Sequence, residues 1–298
     1  MMKILRTPDD RFNDLIDFPY APKYQEVDGI RIHCLDEGYN DSEVVLLMHG
    51  EPSWAFLYRH MIPLLVEAGF RVVVPDLVGF GRSDKPTEQI DHTYRKHVDW
   101  MVKWLISLNL KNITLFCQDW GSLIGLRMAI EKQDRFKRIV LSNGGLPTGD
   151  QKMSEAFTNW RDFSRTTPDF SIPFIIQGGT TTKLSRDVLK GYDAPFPDDS
   201  YKAGARILPS LVPISPDDPE SEANKKAIEM FKQWKKPFLT AFSDSDPITK
   251  GGDKFWQNIV PGAQNQNHIT IKGAGHFLQE DRGPEVAKTI IALINKNP

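Results

Sequence analysis

The chain has 298 residues, 40% of them hydrophobic, a formal net charge of −2 and two cysteines. That length allows one large α/β domain or a core with a smaller insertion, and the scattered, near-balanced charge gives no reason to expect nucleic acid or an anionic membrane as partner. No apolar run approaches the roughly 20 residues needed to span a bilayer, and the N-terminal MMKILRTPDDRF lacks the apolar core of a secretory signal. The expectation is a soluble, cytoplasmic monomer, with Cys34 and Cys117 as reduced, buried thiols in apolar contexts.

In chain order, IRIHCLDEG alternates as a half-exposed edge strand should. EVVLLMHG, RVVVPDLVG, NITLFCQ and KRIVLSNGG are apolar on both faces, the pattern of strands in a parallel sheet covered by helices. FLYRHMIPLLVEAG and YRKHVDWMVKWLISLN supply helices between them. The rhythm breaks near Gly149. From there to about Glu220 the chain holds short helical pieces interrupted by prolines, opened by a two-turn helix in SEAFTNWRDFS. Strands return in PFLTAFSDSDP and HITIKGAGH, and GPEVAKTIIALINK closes the chain as a helix. The pattern predicts an α/β class with a mostly parallel, doubly wound sheet. Its core spans 1–148 and 221–298, and 149–220 forms a helical cap over the carboxyl ends of the strands, where open α/β sheets bind ligands.

Four loops at strand ends carry reactive residues: HGEPSW (49–54), QDWGS (118–122), FSDSDP (242–247) and GAGHFLQE (273–280). Asp119, Asp246 and His276 follow the order nucleophile, acid, histidine, which is that of the nucleophile elbow in α/β hydrolases. Together with YDAPFPDDSYKAGARILP in the insertion, these stretches resemble the haloalkane dehalogenases. The resemblance covers almost the whole chain and is closest to the subfamily with a Trp–Trp halide site and its acid after the late strand. It implies the α/β-hydrolase fold, a small halogenated alkane as substrate, and alcohol, halide and a proton as products.

An aspartate at the elbow makes chemical sense. A serine needs a base to remove its proton, whereas a carboxylate is already charged and can displace a halide from sp³ carbon, leaving an alkyl ester. His276, oriented by Asp246, is the expected base for the water that hydrolyses that ester. The backbone N–H groups of Glu51 and Trp120 are the expected oxyanion hole. The departing halide needs donors, and the Trp120 indole stands beside the nucleophile. Glu51, an acceptor when ionised, is expected to repel halide, so the second donor must come from elsewhere. Trp160 matches the cap tryptophan of the resembling subfamily, with Phe157 three residues earlier on the same helical face as a pocket residue.

Other readings of these residues stand beside this one. An aspartate before a helix is often an N-cap. Asp244 rivals Asp246 for the acid, and the motif favours Asp246. Trp100, Trp104, Trp234 and Trp256 read as packing residues, and His49 as structural. VGFGRSD starts like a dinucleotide fingerprint but places Asp84 where the third glycine belongs. No H-E-x-x-H, C-x-x-C or P-loop occurs, so neither metal nor organic cofactor is expected. An epoxide hydrolase would share the nucleophile and need tyrosine proton donors, for which Tyr192 and Tyr201 are available. A fluoroacetate-type dehalogenase would want a basic residue where Trp120 stands. A catalytically inactive small-molecule receptor on the same fold would carry a broken or serine-based triad.

Overall fold

In the computed structural model, which describes residues 2–298, the strands are β1 (Ile4–Leu5), β2 (Lys23–Val27), β3 (Ile30–Glu37), β4 (Val44–Met48), β5 (Arg71–Pro75), β6 (Lys85–Pro86), β7 (Ile113–Cys117), β8 (Phe136–Leu141), β9 (Phe238–Ser243) and β10 (Ile269–Ile271). The helices are α1 (Ile62–Glu67), α2 (Tyr94–Ser107), α3 (Trp120–Glu131), α4 (Glu155–Thr166), α5 (Ile172–Gly178), α6 (Arg186–Asp193), α7 (Ala203–Leu211), α8 (Ser221–Phe231), α9 (Gly252–Ile259) and α10 (Leu278–Lys296).

Eight strands form one sheet in the order β10-β9-β8-β7-β4-β5-β3-β2, and β1 pairs with β6 in a separate ribbon. From β5 to β10 all neighbours are parallel; β3 runs antiparallel to both β5 and β2. The central strands β4, β7 and β9 have no exposed residue, as strands covered on both faces must. The chain passes from β4 outward to β5, then returns to place β7 on the other side of β4. This reversal opens a crevice between the loops after β4 and β7. Those loops carry HGEP and Gln118-Asp119.

Three sequence expectations change. β3 is not an edge: β2 lies outside it, joined through Asp28-Gly29, both with positive φ. Aspartate followed by glycine suits such a two-residue turn. Most of β3 is buried, His33 through its bond to Asp76, so the expected alternation is lost. FLYRHMIPLLVEAG yields only the six-residue α1, preceded by a 3₁₀ turn over Ala55–Tyr58. Pro63 lacks an N–H, so the helix begins around it and cannot extend back through it. In contrast, α4 is longer than the two turns expected, spanning twelve residues from the Ser154 N-cap, whose hydroxyl accepts from Phe157 N–H at 3.2 Å.

Helices α4 to α7 all lie in the stretch between β8 and β9, and α8 returns the chain to α3, where Arg127 bonds Glu220 at 2.9 Å and Asn224 at 3.1 Å. The stretch is fastened by a buried polar cluster: Arg59 grips both carboxylate oxygens of Glu280 at 2.6 Å, and the Tyr192 hydroxyl of α6 donates to the same carboxylate at 2.5 Å. Such a bidentate, charge-assisted arrangement fixes geometry as well as distance. Cys34 and Cys117 are both free and buried. Among the described residues, no helix is long and apolar enough to cross a membrane.

Candidate active site

The turn after β7 is forced into an unusual shape. Asp119 has φ 51° and ψ −130°, a conformation that L-residues rarely adopt. It persists because the neighbourhood leaves no alternative. A Cβ on Gly121 would lie 2.1 Å from the Met48 carbonyl, and one on Gly50 would lie 2.2 Å from Asp119 Oδ1. Only glycine lets α3 and the HGEP loop approach so closely. Asp119 N–H donates to Asn143 O at 3.0 Å, and the Ser122 hydroxyl donates back to Asp119 O at 2.6 Å. The Asp119 side chain makes no capping bond to α3; its Oδ1 instead accepts the Glu51 backbone N–H at 2.7 Å.

His276 and Asp246 converge on the same point. His276 Nδ1 lies 3.1 Å from Asp246 Oδ2, and its Nε2 lies 3.4 Å from Asp119 Oδ2. Asp246 also accepts from Ile248 N–H at 2.9 Å and from the Thr249 hydroxyl. Asp244 is exposed and turned away, accepting from Gly273 N–H at 2.9 Å. Burial would raise the Asp246 pKa, but the imidazole and these donors bring it down to about 2. Burial would likewise lower the His276 pKa, yet the carboxylates of Asp246 and Asp119 carry it up to about 10.

The Glu51 side chain is buried, and burial beside the Asp119 charge pushes its pKa well above the usual carboxylate range. Of its neighbours only the His276 imidazole opposes that shift. Its Oε1 has no hydrogen-bond partner.

These groups form the floor of a cavity of about 1100 Å³. Trp120 lines it from the core, and Phe157 and Trp160 line it from α4. Trp160 is set by aromatic neighbours, with its ring centroid 5.9 Å from Phe163 and 6.0 Å from Phe170. Trp120 packs edge-on against Tyr94 at 5.0 Å. Trp100, Trp104 and Trp234 lie in the core away from the cavity, whereas Trp256 is buried and also borders it. His49 is used structurally, with Nε2 accepting Leu77 N–H at 2.9 Å. No tyrosine lines the cavity: Tyr192 is committed to Glu280, and Tyr201 lies elsewhere in the helical stretch. The proton donors an epoxide hydrolase needs are therefore missing from this pocket.

Several polar residues that no motif singles out hold the site together. Asn143 donates to the carbonyls of Gly275 and His276 at 3.1 and 3.0 Å and accepts Ser243 N–H at 2.9 Å, joining three strand ends. Asp76 accepts from His33 Nδ1, Ala55 N–H and Arg82 N–H at 2.7, 2.8 and 2.7 Å, which fixes the far side of the HGEP loop. Asp281 accepts Gly275 N–H at 2.8 Å, beside His276. Gln118, the residue before Asp119, places its side-chain amide 3.0 Å from His276 Nε2. Among the described residues no group of three or more His, Cys, Asp or Glu side chains is arranged to hold a metal ion.

Residues 43–283 match the family model of the alpha/beta hydrolase fold. The chain is 55% identical to a haloalkane dehalogenase of Psychrobacter cryohalolentis over the whole of both chains. It is 50% identical to one of Mycolicibacterium paratuberculosis over 98% of each. Its structure superposes on the tetrameric structure of a haloalkane dehalogenase from Paraglaciecola agarilytica with a TM-score of 0.92, at 36% identity and 98% coverage of both chains.

The electrostatics of the free site give a titration that can be checked. The stability contributed by the His276 cation is fully present below the ordinary histidine pKa of 6.5 and is lost as pH rises through about 10. NMR of the imidazole Cε1–H in the ligand-free protein is expected to show His276 protonated at pH 7 and titrating well into the alkaline range. A midpoint at or below 6.5 would show that the two carboxylates do not govern the ring.

Proposed function

The chain belongs to the haloalkane dehalogenases, hydrolases of the α/β-hydrolase fold that act on carbon–halide bonds, and from that membership we propose how its residues divide the reaction. The observation that carries the reading is a carboxylate at the elbow that lines the cavity, with Oδ1 held by the Glu51 N–H at 2.7 Å and Oδ2 3.4 Å from His276 Nε2. Asp119 Oδ2 displaces the halide from the alkyl carbon and forms an ester. His276, oriented by Asp246, then takes a proton from water as the water attacks the Asp119 carboxyl carbon. The charge that develops on the second carboxyl oxygen is met by the backbone N–H groups of Glu51 and Trp120. Residues 149–220 act as a cap that keeps bulk water from the site, over a core of 1–148 and 221–298.

The leaving halide is held by the indole N–H groups of Trp120 and Trp160, one from the core and one from the cap, with Phe157 shaping the pocket. The reasoning is electrostatic. Negative charge moves onto the halogen in a pocket shielded from bulk water, so fixed N–H dipoles must take over its solvation. The enzyme needs neither metal nor organic cofactor for this sequence of steps. We also infer a cytoplasmic monomer. Exposed large apolar side chains such as Tyr39 in the loop after β3, Ile90 in the 3₁₀ turn before α2 and Phe174 on α5 belong to separate segments of the chain. Light scattering at assay concentration is expected to give a mass near 33.9 kDa; a stable oligomer would contradict that inference.

Asp119→Ala is expected to abolish halide release while leaving the protein folded. His276→Phe is expected to accumulate an alkyl-enzyme, because alkylation does not use the base. Intact-mass spectrometry after exposure to 1-bromobutane should show one added butyl group on the peptide containing Asp119. An inactive but unmodified His276 variant would refute the covalent order of events.

Trp160→Phe keeps most of the apolar bulk and removes the donor. By analogy with an oxyanion-hole donor the loss is about 2.7–4 kcal/mol at the transition state, or roughly two to three powers of ten in rate. Bromide should quench tryptophan fluorescence saturably in the unmodified protein and much more weakly in this variant. Dehalogenation at close to the original rate would return Trp160 to a packing role.

A further inference from the structure

We propose that Gln118 is a positioning residue for ester hydrolysis: its side-chain amide donates to His276 Nε2 and keeps that nitrogen's lone pair available as the base once Asp119 has been esterified. The inference rests on the covalent reading above and adds a residue to it.

The geometry fixes which way the amide points. Gln118 is fully buried. Its Nε2 lies 3.0 Å from His276 Nε2 and 3.2 Å from the His276 carbonyl, while its Oε1 accepts from Gln279 Nε2 at 3.3 Å. Turning the amide over would set its oxygen against the His276 carbonyl, replacing a bond with a repulsion. Gln279 is itself buried, with its amide 3.5 Å from the Tyr58 hydroxyl. A donor is therefore aimed at His276 Nε2 along a buried polar chain.

A donor at Nε2 suits only the neutral ring with its proton on Nδ1, where Asp246 accepts. Three acidic side chains face this imidazole: Asp119 from the elbow, Asp246 from the turn after β9, and Glu51 from the loop after β4. Asp119 Oδ2, 3.4 Å from Nε2, pulls a proton onto that nitrogen, and the Gln118 amide opposes it. Which influence prevails depends on whether Asp119 carries charge.

The reaction itself changes that charge. Alkylation breaks the carbon–halogen bond, forms a carbon–oxygen bond to Asp119 and releases the halide as an anion. With the carboxylate consumed, the imidazolium gives its Nε2 proton to solvent, and the Gln118 amide favours the lone pair left behind. Water then passes one proton to Nε2 as its oxygen bonds to Asp119 Cγ. Collapse breaks the Cγ–alkoxy bond, and the alkoxy group takes that proton and leaves as alcohol. The remaining water proton passes from the regenerated carboxyl to His276, restoring the starting ion pair. One proton, one halide and one alcohol have been released per water consumed.

The test separates the two half-reactions. Rapid-quench kinetics with 1-bromobutane, from about pH 6 to pH 10, would follow ester formation and ester hydrolysis in the unmodified protein, Gln118→Met and Gln118→Glu. Asn143 also donates to the His276 carbonyl, at 3.0 Å, so neither variant leaves that carbonyl unpaired. Alkylation is expected to stay within about twofold in Gln118→Met. Its hydrolysis limb should move up by about one pH unit, which slows hydrolysis roughly tenfold at pH 7 and makes alkyl-enzyme accumulate. Gln118→Glu should move the limb further. Hydrolysis should recover at high pH in Gln118→Met, which a packing defect would not allow. An unchanged limb, an equal loss in both half-reactions at every pH, or failure of both variants to fold would overturn the proposal. Absence of any butyl adduct in the His276→Phe control would instead remove the covalent reading beneath it.

Discussion

Three acidic side chains converge on a single imidazole in a largely buried pocket, and they cannot all carry charge. With two carboxylates flanking His276, the ring holds its proton. The third acid, Glu51, has no cation of its own, and burial disfavours its charged form. The arrangement keeps the uncompensated charge small, as a low-dielectric site requires. It also makes the site responsive to its own chemistry, because consuming the Asp119 charge alters the proton affinity of the ring beside it. On the proposed covalent reading, an aspartate at the elbow does more than replace serine: its charge is a variable on which the later base depends.

The scaffold invests in placing these charges. The loops that carry them leave the carboxyl ends of β4, β7, β9 and β10, and buried polar residues of other elements hold them in place. Asp76, directly after β5, accepts the Ala55 N–H beyond HGEP, Asn143 bonds the His276 loop to the end of β9, and Asp281 braces Gly275. At the centre, the strained backbone of Asp119 is maintained because Gly50 and Gly121 let two chain segments press against it. Fixed geometry of this kind spares the site from reorganising during reaction, which is where electrostatic stabilisation gains its strength.

What the sequence conveyed depended on range. Apolar runs announced β4, β5, β7 and β8 because burial on both faces is a local property of a strand. β3 was misread as an edge because alternation cannot tell whether another strand lies beyond, although Asp28-Gly29 marked the turn leading to it. Asp119, Asp246 and His276 were legible as motif residues and do come together. Gln118, Asn143 and Gln279 were not, since a lone amide has no signature until distant segments bring its partner within 3 Å or so. Glu51 was identified by position, but the burial that disfavours its charge was not legible, because it follows from surroundings that composition does not reveal.

The Tyr192–Glu280–Arg59 cluster bears on how molecules come and go. The Arg59–Glu280 ion pair lies within the core, between the turn after HGEP and α10, and the Tyr192 hydroxyl of α6 bonds the same carboxylate. Lifting α6 away would leave the ion pair whole and break one charge-assisted hydrogen bond, at a cost of about 1.5–3 kcal/mol. The rim of the cavity carries the exposed Phe174 and the Asp150–Lys225 pair. Residues well removed from the reacting carbon therefore border the same cavity that an alcohol or halide must leave.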